Sequence, residues 1–99
     1  MTTEPAKRYN SGKPRYDYLE PDWLLALSKV AEFGASKYGV YNYRKGLAED
    51  DLIRAILSHT IARMRGGKLD AESGLPHAVH VAWNALELMR QHDFTNEGS

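Results

Sequence analysis

The segment LDAESGLPHAVHVAWN, residues 69–84, places acidic, imidazole and amide side chains where a buried helix is expected to begin. Its polar members are Asp70, Glu72, His77, His80 and Asn84. Carboxylates, with one or more histidines, hold divalent cations such as Mg²⁺ and Mn²⁺ against phosphate groups. The segment therefore predicts a metal site at Asp70 and Glu72, with His77 and His80 as further catalytic candidates.

The same residues also have a purely structural interpretation. Asp70 and Glu72 would then stabilise the start of a helix, and the histidines would form hydrogen bonds in the core. An enclosed imidazole or amide without a partner costs about 1–3 kcal/mol, so these groups need partners in either case. His59 is one candidate partner, and the residues alone leave both interpretations open.

Two basic segments could contact phosphate. Residues 1–17 form a polar arm with four cations, of which Arg15 is the last, although most short basic arms are only solvated. Residues 37–46, KYGVYNYRKG, interleave tyrosines with cations, so ring faces could stack on a base while the cations hold phosphate. A tyrosine-rich loop can equally serve to cover a pair of helices. Ser58, Thr60 and Ser73 have no base at an informative spacing, so no nucleophile is predicted.

Three segments have the apolar spacing of helices, and no segment alternates at period two for long enough to predict a strand. We therefore expect an all-α fold, a small bundle of three main helices. The first helix should extend from about Asp22 to Tyr38, with Asp22 as its N-cap and Gly39 as its end.

The second and third helices carry most of the candidate site. The second should begin at Asp50 or Asp51, either of which is a suitable N-cap, and end at Gly66. The third should begin near Pro76 and continue to about His92. Because the third helix is apolar on both sides, we expect it to lie at the centre of the bundle with its polar groups enclosed.

The whole chain predicts one domain, with a basic arm at 1–17, a helical domain at 18–92 and a flexible tail at 93–99. Its 99 residues are near the size at which one core buries about two thirds of the unfolded surface, so we expect a homo-oligomer. Thirteen basic and thirteen acidic residues balance, so no global field attracts a nucleic acid polymer or a membrane. Without cysteine, an apolar span or a signal peptide, a cytoplasmic location is expected.

From Lys13 to Leu88 the chain resembles the phage and bacterial family of dATP/dGTP diphosphohydrolase N-terminal domains. The likeness is specific only when its pieces are taken together, namely RYD at 15–17, GASKYG at 34–39, NYRKG at 42–46, His59 and DAESGLPHAVHVAWNA at 70–85. The resemblance implies a helical fold related to the MazG-like all-α nucleoside triphosphate pyrophosphohydrolases. Those enzymes use Mg²⁺ or Mn²⁺ held by acidic residues, and they assemble as dimers or larger oligomers.

The resemblance also implies a function and the residues that carry it. The expected activity is metal-dependent hydrolysis of a purine (deoxy)nucleoside triphosphate to monophosphate and pyrophosphate. Asp70 and Glu72 would hold the metal or orient water, with His77 and His80 beside them. The residues expected to contact the nucleotide are Arg15, Lys37, Tyr38, Asn42, Arg44, Lys45, His59 and Asn84.

The chain departs from the pattern it resembles in two places. The first two predicted helices lack the E-x-x-E sequence of the broader MazG-like enzymes. In the nearer family a glutamate commonly precedes the aspartate by three positions, and here that position is Gly67. The alternative is therefore a non-catalytic phage-type sponge, which would sequester a host immune nucleotide without any metal cofactor.

Overall fold

The computed structural model describes residues 4–9 and 11–94. Within these residues the chain forms three α-helices and no β-strand, which confirms the predicted all-α bundle. The helices are α1, Pro21–Tyr38; α2, Glu49–Met64; and α3, His77–Leu88. Short 3-10 turns lie at Tyr16–Tyr18 and Asn42–Lys45, and a π-helical turn extends α3 over Met89–Asp93.

The third helix lies between the other two. It packs most extensively against α2 and also packs against α1, so it is central, as its apolar character on both sides predicts. The loop between α2 and α3 folds back on itself through an isolated antiparallel bridge between Leu69 and Pro76. This loop therefore returns directly onto the start of α3.

The three predicted N-caps are wrong. Asp22, Asp50 and Asp51 lie inside the first helical turn, because α1 begins at Pro21 and α2 at Glu49. Neither helix has a side-chain hydrogen bond at its N-cap. A carboxylate in the first turn still interacts favourably with the free N–H groups there, which explains why acidic residues mark these helix starts.

The helix ends follow the glycines more closely. Gly39 ends α1 with φ of 104°, and Gly66 follows α2 with φ of 100°. Glycine is favoured at such positions because it has no Cβ to clash in the left-handed region. Pro76 is the N-cap of α3. The α-helical part of α3 ends at Leu88, earlier than predicted, and the wider π-turn occupies the final residues.

Few apolar side chains are buried in the single chain. Among the described residues, the buried hydrophobic side chains are Val30 and Leu52, whereas the buried polar ones are His77, His80 and Glu87. Large apolar side chains on all three helices are exposed, including Trp23, Leu24 and Leu25 of α1, Leu57, Ile61 and Met64 of α2, and Leu86 of α3. The interior is therefore unusually polar for a helical bundle.

The N-terminal segment lies against the bundle only loosely. Every described residue from 4 to 20 is exposed. The radius of gyration, 18.3 Å, exceeds the value of about 13 Å typical of a compact chain of this length.

In residues 4–9 and 11–94, no helix combines the length and apolar character needed to cross a membrane. Most of the predicted tail, residues 95–99, lies outside the described residues.

Leu52 should be a main determinant of stability, because its side chain is only 2% exposed. We expect Leu52→Ala to lower the free energy of unfolding by about 2–4 kcal/mol, from lost burial and the cavity that remains. Chemical denaturation followed by circular dichroism measures this change. Val40→Ala is the matched control, since Val40 is 75% exposed and its truncation should change the free energy by less than about 0.5 kcal/mol. Equal losses in the two variants would contradict the assignment of the core.

Candidate functional site

A cavity of about 550 Å³ lies among the three helices and the loops that follow α1 and α2. This volume is within the range of about 300–1,000 Å³ typical of small-molecule sites. Most of the residues predicted for the site line it, namely Lys37, Tyr38, Asn42, His59, Asp70, Glu72, His80 and Asn84. His77 lies directly behind the wall, in contact with His59. The polar residues of α2, α3 and the loop between them are thus brought to one place.

Three predicted phosphate contacts lie outside the cavity. Arg15 forms two hydrogen bonds to Asp17, of 2.8 and 2.6 Å. The guanidinium of Arg44 lies 3.8 Å from the centre of the Tyr41 ring. Lys45 is exposed, and it does not line the cavity either. Among the described residues that line the cavity, Lys37 is the only Lys or Arg.

A cluster of three histidines lies at one wall of the site, with His59 and His80 lining the cavity and His77 behind them. The Nδ1 atoms of His59 and His77 are 2.8 Å apart and share a hydrogen bond. The rings of His59 and His80 are stacked, with centres 4.4 Å apart and planes within 5°. His77 and His80 are buried, at 8% and 7% exposed. The predicted enclosure of the imidazoles is therefore what the structure shows, with each ring held by a neighbour.

The loop between α2 and α3 sets the position of Asp70. The backbone N–H of His77 donates to the carbonyl of Lys68 at 2.8 Å, and the N–H of Asp70 donates to the carbonyl of Leu75 at 2.7 Å. These bonds close the loop into a tight turn. As a result Oδ2 of Asp70 lies 3.9 Å from Nε2 of His80. Asp70 does not cap α3, contrary to the structural interpretation of the sequence, because its carboxylate accepts the N–H of Ser73.

Ser73 has a base beside it, contrary to the expectation from its spacing. Its Oγ lies 2.7 Å from Nε2 of His80 and accepts the N–H of Leu75 at 3.1 Å. Ser73 does not line the cavity, so its hydroxyl orients the imidazole and does not face a ligand. The separation of seven residues hid this pair, because it forms through the turn and not along one helix face.

Burial and hydrogen bonding shift the ionisation of the cluster. Burial lowers the pKa of His59 and of His80, and their imidazole neighbours lower it further, so both rings are neutral near pH 7. Burial acts to raise the pKa of Asp70, but the hydrogen bonds from Ser73 and the nearby imidazoles outweigh it. The net effect is a lowered pKa, so Asp70 is a carboxylate. The histidine cluster therefore combines the carboxylate of Asp70 with the neutral imidazoles of His59 and His80.

Glu72 forms an ion pair with Lys37. Its Oε1 lies 2.6 Å from Nζ of Lys37, and this contact raises the pKa of the lysine. Both side chains are substantially exposed, at 58% and 40%, so the pair is weak and can open to a ligand. Glu72 therefore faces the cavity as predicted, but its charge is balanced within the chain.

The side chains that could hold a metal ion together are His59, Asp70 and His77. Among the described residues, these form the one group of three or more whose ligand atoms all lie within 4.8 Å of one another. The group includes Asp70, as predicted, but replaces Glu72 with two histidines. Gly67 borders it, since a Cβ at this position would lie 3.8 Å from Nε2 of His77.

A second polar network, missed in the sequence, holds the loop after α1 against α3. The N–H of Leu47 donates to Oε1 of Gln91 at 2.7 Å, and its carbonyl accepts Nε2–H of His92 at 2.7 Å. Gln91 also donates to the buried carboxylate of Glu87, which accepts two further hydrogen bonds from Arg90. This network fixes the cavity wall that carries Asn42 and Tyr43. The one available signal was a glutamate on a helix that is otherwise largely apolar.

The lowered histidine pKa values predict a pH dependence of stability. The unfolded imidazoles titrate near 6.5 and the folded ones lower, so the unfolded chain binds more protons between the two values. The stabilisation is complete above about pH 6.5 and is lost as pH falls below that value, through the lowered pKa of the folded imidazoles. Urea denaturation at a series of pH values measures this decline. His80→Gln cannot protonate and should show a shallower decline, whereas an equal slope would exclude His80 as a source.

Comparison with known proteins identifies the family of the chain. The model of the family described as dATP/dGTP diphosphohydrolase, N-terminal, matches residues 3–98. A dATP/dGTP diphosphohydrolase of Salmonella phage PMBT28 is 29% identical over 75 residues, which are 76% of this chain and 26% of that relative. The chain thus spans about a quarter of the length of this curated relative. No solved structure matches the chain, and the relation to MazG-like enzymes stays a prediction. Since the family model covers nearly every residue, the chain belongs to the dATP/dGTP diphosphohydrolase N-terminal family.

Proposed function

We propose that the cavity binds a purine (deoxy)nucleoside triphosphate and that the chain hydrolyses it to monophosphate and pyrophosphate with a divalent cation. The observation that carries this proposal is the position of Asp70 and His59 on the wall of a cavity large enough for a nucleotide. The family and its phage relative support a nucleotide as the ligand class. Because the chain spans a quarter of that relative, the activity of the chain on its own is part of the proposal.

The base would occupy the aromatic part of the cavity. Phe33, Tyr38, Tyr43 and Trp83 line it, and the rings of Tyr43 and Trp83 meet edge to face with centres 5.7 Å apart. Such rings offer flat apolar surface for a purine. The side chains of Asn42 and Asn84 also line the cavity and could hydrogen-bond a base or sugar edge. Asn84 already donates one N–H to the carbonyl of His80 at 2.8 Å, so its amide oxygen and its second N–H are the groups available for a ligand.

The triphosphate would lie towards Lys37 and Asp70. Lys37 would leave its exposed pair with Glu72 and donate to a phosphate oxygen. A bound Mg²⁺ or Mn²⁺ would neutralise phosphate charge and lower the pKa of the attacking water. In hydrolysis to monophosphate and pyrophosphate, a water oxygen would bond to the α-phosphorus while the bond from this phosphorus to the bridging oxygen of the pyrophosphate breaks. His59 is neutral near pH 7 and lines the cavity, so it is positioned to accept the proton of the water.

Purified chain with Mg²⁺ or Mn²⁺ should release pyrophosphate from dATP or dGTP. Asp70→Asn preserves the size of the side chain but removes its charge, and we expect the rate to fall about 100-fold or more. Asp22→Asn is the matched control, because Asp22 lies in the first turn of α1 outside the cavity and should leave the rate unchanged. A coupled pyrophosphate assay measures both variants. No release from any common nucleotide would reject hydrolysis.

The alternative is a sponge that holds an intact nucleotide signal. Gly67 favours it, because the cluster of possible metal ligands contains a single carboxylate and a glycine adjoins it. Against it, the cations that would bind phosphate without metal, Arg15, Arg44 and Lys45, lie outside the cavity. The pyrophosphate assay, together with calorimetry of nucleotide binding, separates the two functions. A sponge would bind in the presence of EDTA and return its ligand unchanged.

The proposal includes a homo-oligomer, in which a second copy covers the apolar groove between α1 and α3. This groove has a volume of about 520 Å³ and is lined entirely by Ala, Leu, Val, Met and Trp side chains. Trp23 and Leu86 in it are 53% and 42% exposed. A second copy presents the same apolar surface, as an isologous dimer interface requires, and it would supply the apolar burial that the single chain lacks.

Sedimentation or light scattering should therefore give a mass of at least two chains. Leu86→Glu places a charge in the groove and should raise the dissociation constant about 10-fold or more, because an unpaired charge is costly to bury. Val40→Glu is the matched control, since Val40 is 75% exposed in the loop after α1 and does not line the groove. A monomeric wild-type chain at micromolar concentration would contradict the oligomer.

A further inference from the structure

We propose that His59, Asp70 and His77 form a metal centre that prefers nitrogen-binding transition metals, such as Co²⁺ and Zn²⁺, to Mg²⁺. This inference deepens the proposed function and rests on it for the role of the cation, although metal binding itself is tested separately. With His59 as a ligand, the proton of the attacking water would pass to solvent and not to His59. The three residues come from α2, from the loop after it and from the first position of α3. A bound ion would therefore join the segments that form one wall of the cavity.

The distances already resemble those of a ligated ion. Two nitrogens bound to one zinc ion at about 2.0–2.1 Å lie about 2.9–3.4 Å apart. The Nδ1 atoms of His59 and His77 are 2.8 Å apart, and the carboxylate of Asp70 completes a set within 4.8 Å. A movement of about 1 Å by Asp70 would bring its oxygen to ligand distance. Side-chain rotation alone can supply such a shift, since the half-buried Asp70 carboxylate is not packed in the core.

The donor set decides which metal is favoured. Two imidazoles and one carboxylate suit Zn²⁺, Co²⁺ and related ions, whereas Mg²⁺ requires oxygen ligands in a regular octahedron. A magnesium site would need Glu72 as a second carboxylate. Glu72 is held 2.6 Å from the ammonium of Lys37, whose charge repels a cation at that position. The nitrogen-rich set is therefore better prepared than the pair Asp70 and Glu72.

Metal binding would have to replace the hydrogen bond between His59 and His77. In the metal-free chain one Nδ1 donates to the other across 2.8 Å. A metal ion needs both Nδ1 lone pairs, so the donating ring must carry its hydrogen on Nε2 instead. The exchange moves this hydrogen from Nδ1 to Nε2 of the same ring, so no proton leaves the protein. The stacked ring of His80 and the fold of the loop hold His59 and His77 in place while it occurs.

Titration with CoCl₂ alone, without nucleotide, tests the centre. The protein should bind one Co²⁺ and develop a visible ligand-field absorption band, and an excess of MgCl₂ should not remove it. His59→Gln and His77→Gln should each weaken Co²⁺ binding about 100-fold, the upper range found for groups that support metal sites. His92→Gln, a histidine outside the cluster, and Glu72→Gln should change the affinity by less than about twofold. Circular dichroism confirms that each variant is folded.

A gain-of-affinity variant provides an independent measurement. Gly67 has no positive φ, and a Cβ there would meet neighbours at ordinary contact distances of 3.4 Å or more. Gly67→Asp would place a carboxylate beside Nε2 of His77, where it would accept the hydrogen that this atom carries when Nδ1 of the same ring binds the metal. We expect Co²⁺ affinity to rise about 10-fold, whereas the neutral Gly67→Asn should change it less.

The outcomes separate the metal centre from the proposed function. Equal affinity for Mg²⁺ and Co²⁺, wild-type Co²⁺ binding by His59→Gln, or weakened binding by Glu72→Gln overturns the centre, whatever the hydrolysis assay gives. Stoichiometric Co²⁺ binding that depends on both histidines supports the centre even in a chain that releases no pyrophosphate. In that case the proposed hydrolysis fails and the metal site stands.

Discussion

The hydrogen bond between Nδ1 of His59 and Nδ1 of His77 joins the two helices that pack most closely. It joins a residue in the third turn of α2 to the first residue of α3. It therefore sets the distance and the relative rotation of the two helices where the loop between them returns to α3. The stacked ring of His80 and the carboxylate of Asp70 are arranged around the same contact. The cavity wall exists because this polar contact occupies the position that an apolar pair would fill in an ordinary bundle.

This arrangement has a cost in stability. Val30 and Leu52 are the buried apolar side chains of the described residues, and the remaining buried positions belong to groups that must keep hydrogen-bond partners. In the described residues no buried side-chain nitrogen or oxygen lacks a partner, so the penalty is largely offset. The network from Glu87 to Leu47 follows the same rule at the far end of α3. A structure held by paired polar groups is specific in geometry, but it gains little from burial and benefits from a second copy.

The sequence predicts well what depends on local periodicity and poorly what depends on pairing across loops. Three helices, the end of α1 at Gly39 and the central place of α3 follow from apolar spacing and from glycine conformation. The predicted start of α1 is wrong because Pro21 already begins the helix before Asp22, the acidic residue that resembles a cap. The partners of Ser73 and Glu72 were not predictable, since both pairs form only when the loop folds back. The clustering of polar residue types in one segment indicated residues that the fold brings to one cavity, whereas their hydrogen-bond partners depend on how the loop folds.

Charge balance within the cavity connects the proposed metal, the proposed nucleotide and the proposed assembly. A triphosphate carries several negative charges, and the cavity offers Lys37 together with the carboxylates of Asp51, Asp70 and Glu72. One lysine cannot compensate both its acidic neighbours and a polyphosphate, so an anionic guest requires positive charge from elsewhere. A divalent cation between the histidines and Asp70 would supply it at the wall where phosphate is expected. The cations of the N-terminal arm could reach the expected phosphate position only if the arm moved, or if they came from a neighbouring copy. In the proposed mode of phosphate binding, the imidazoles of His59 and His77 would add donors for a cation without adding negative charge, which a further carboxylate would.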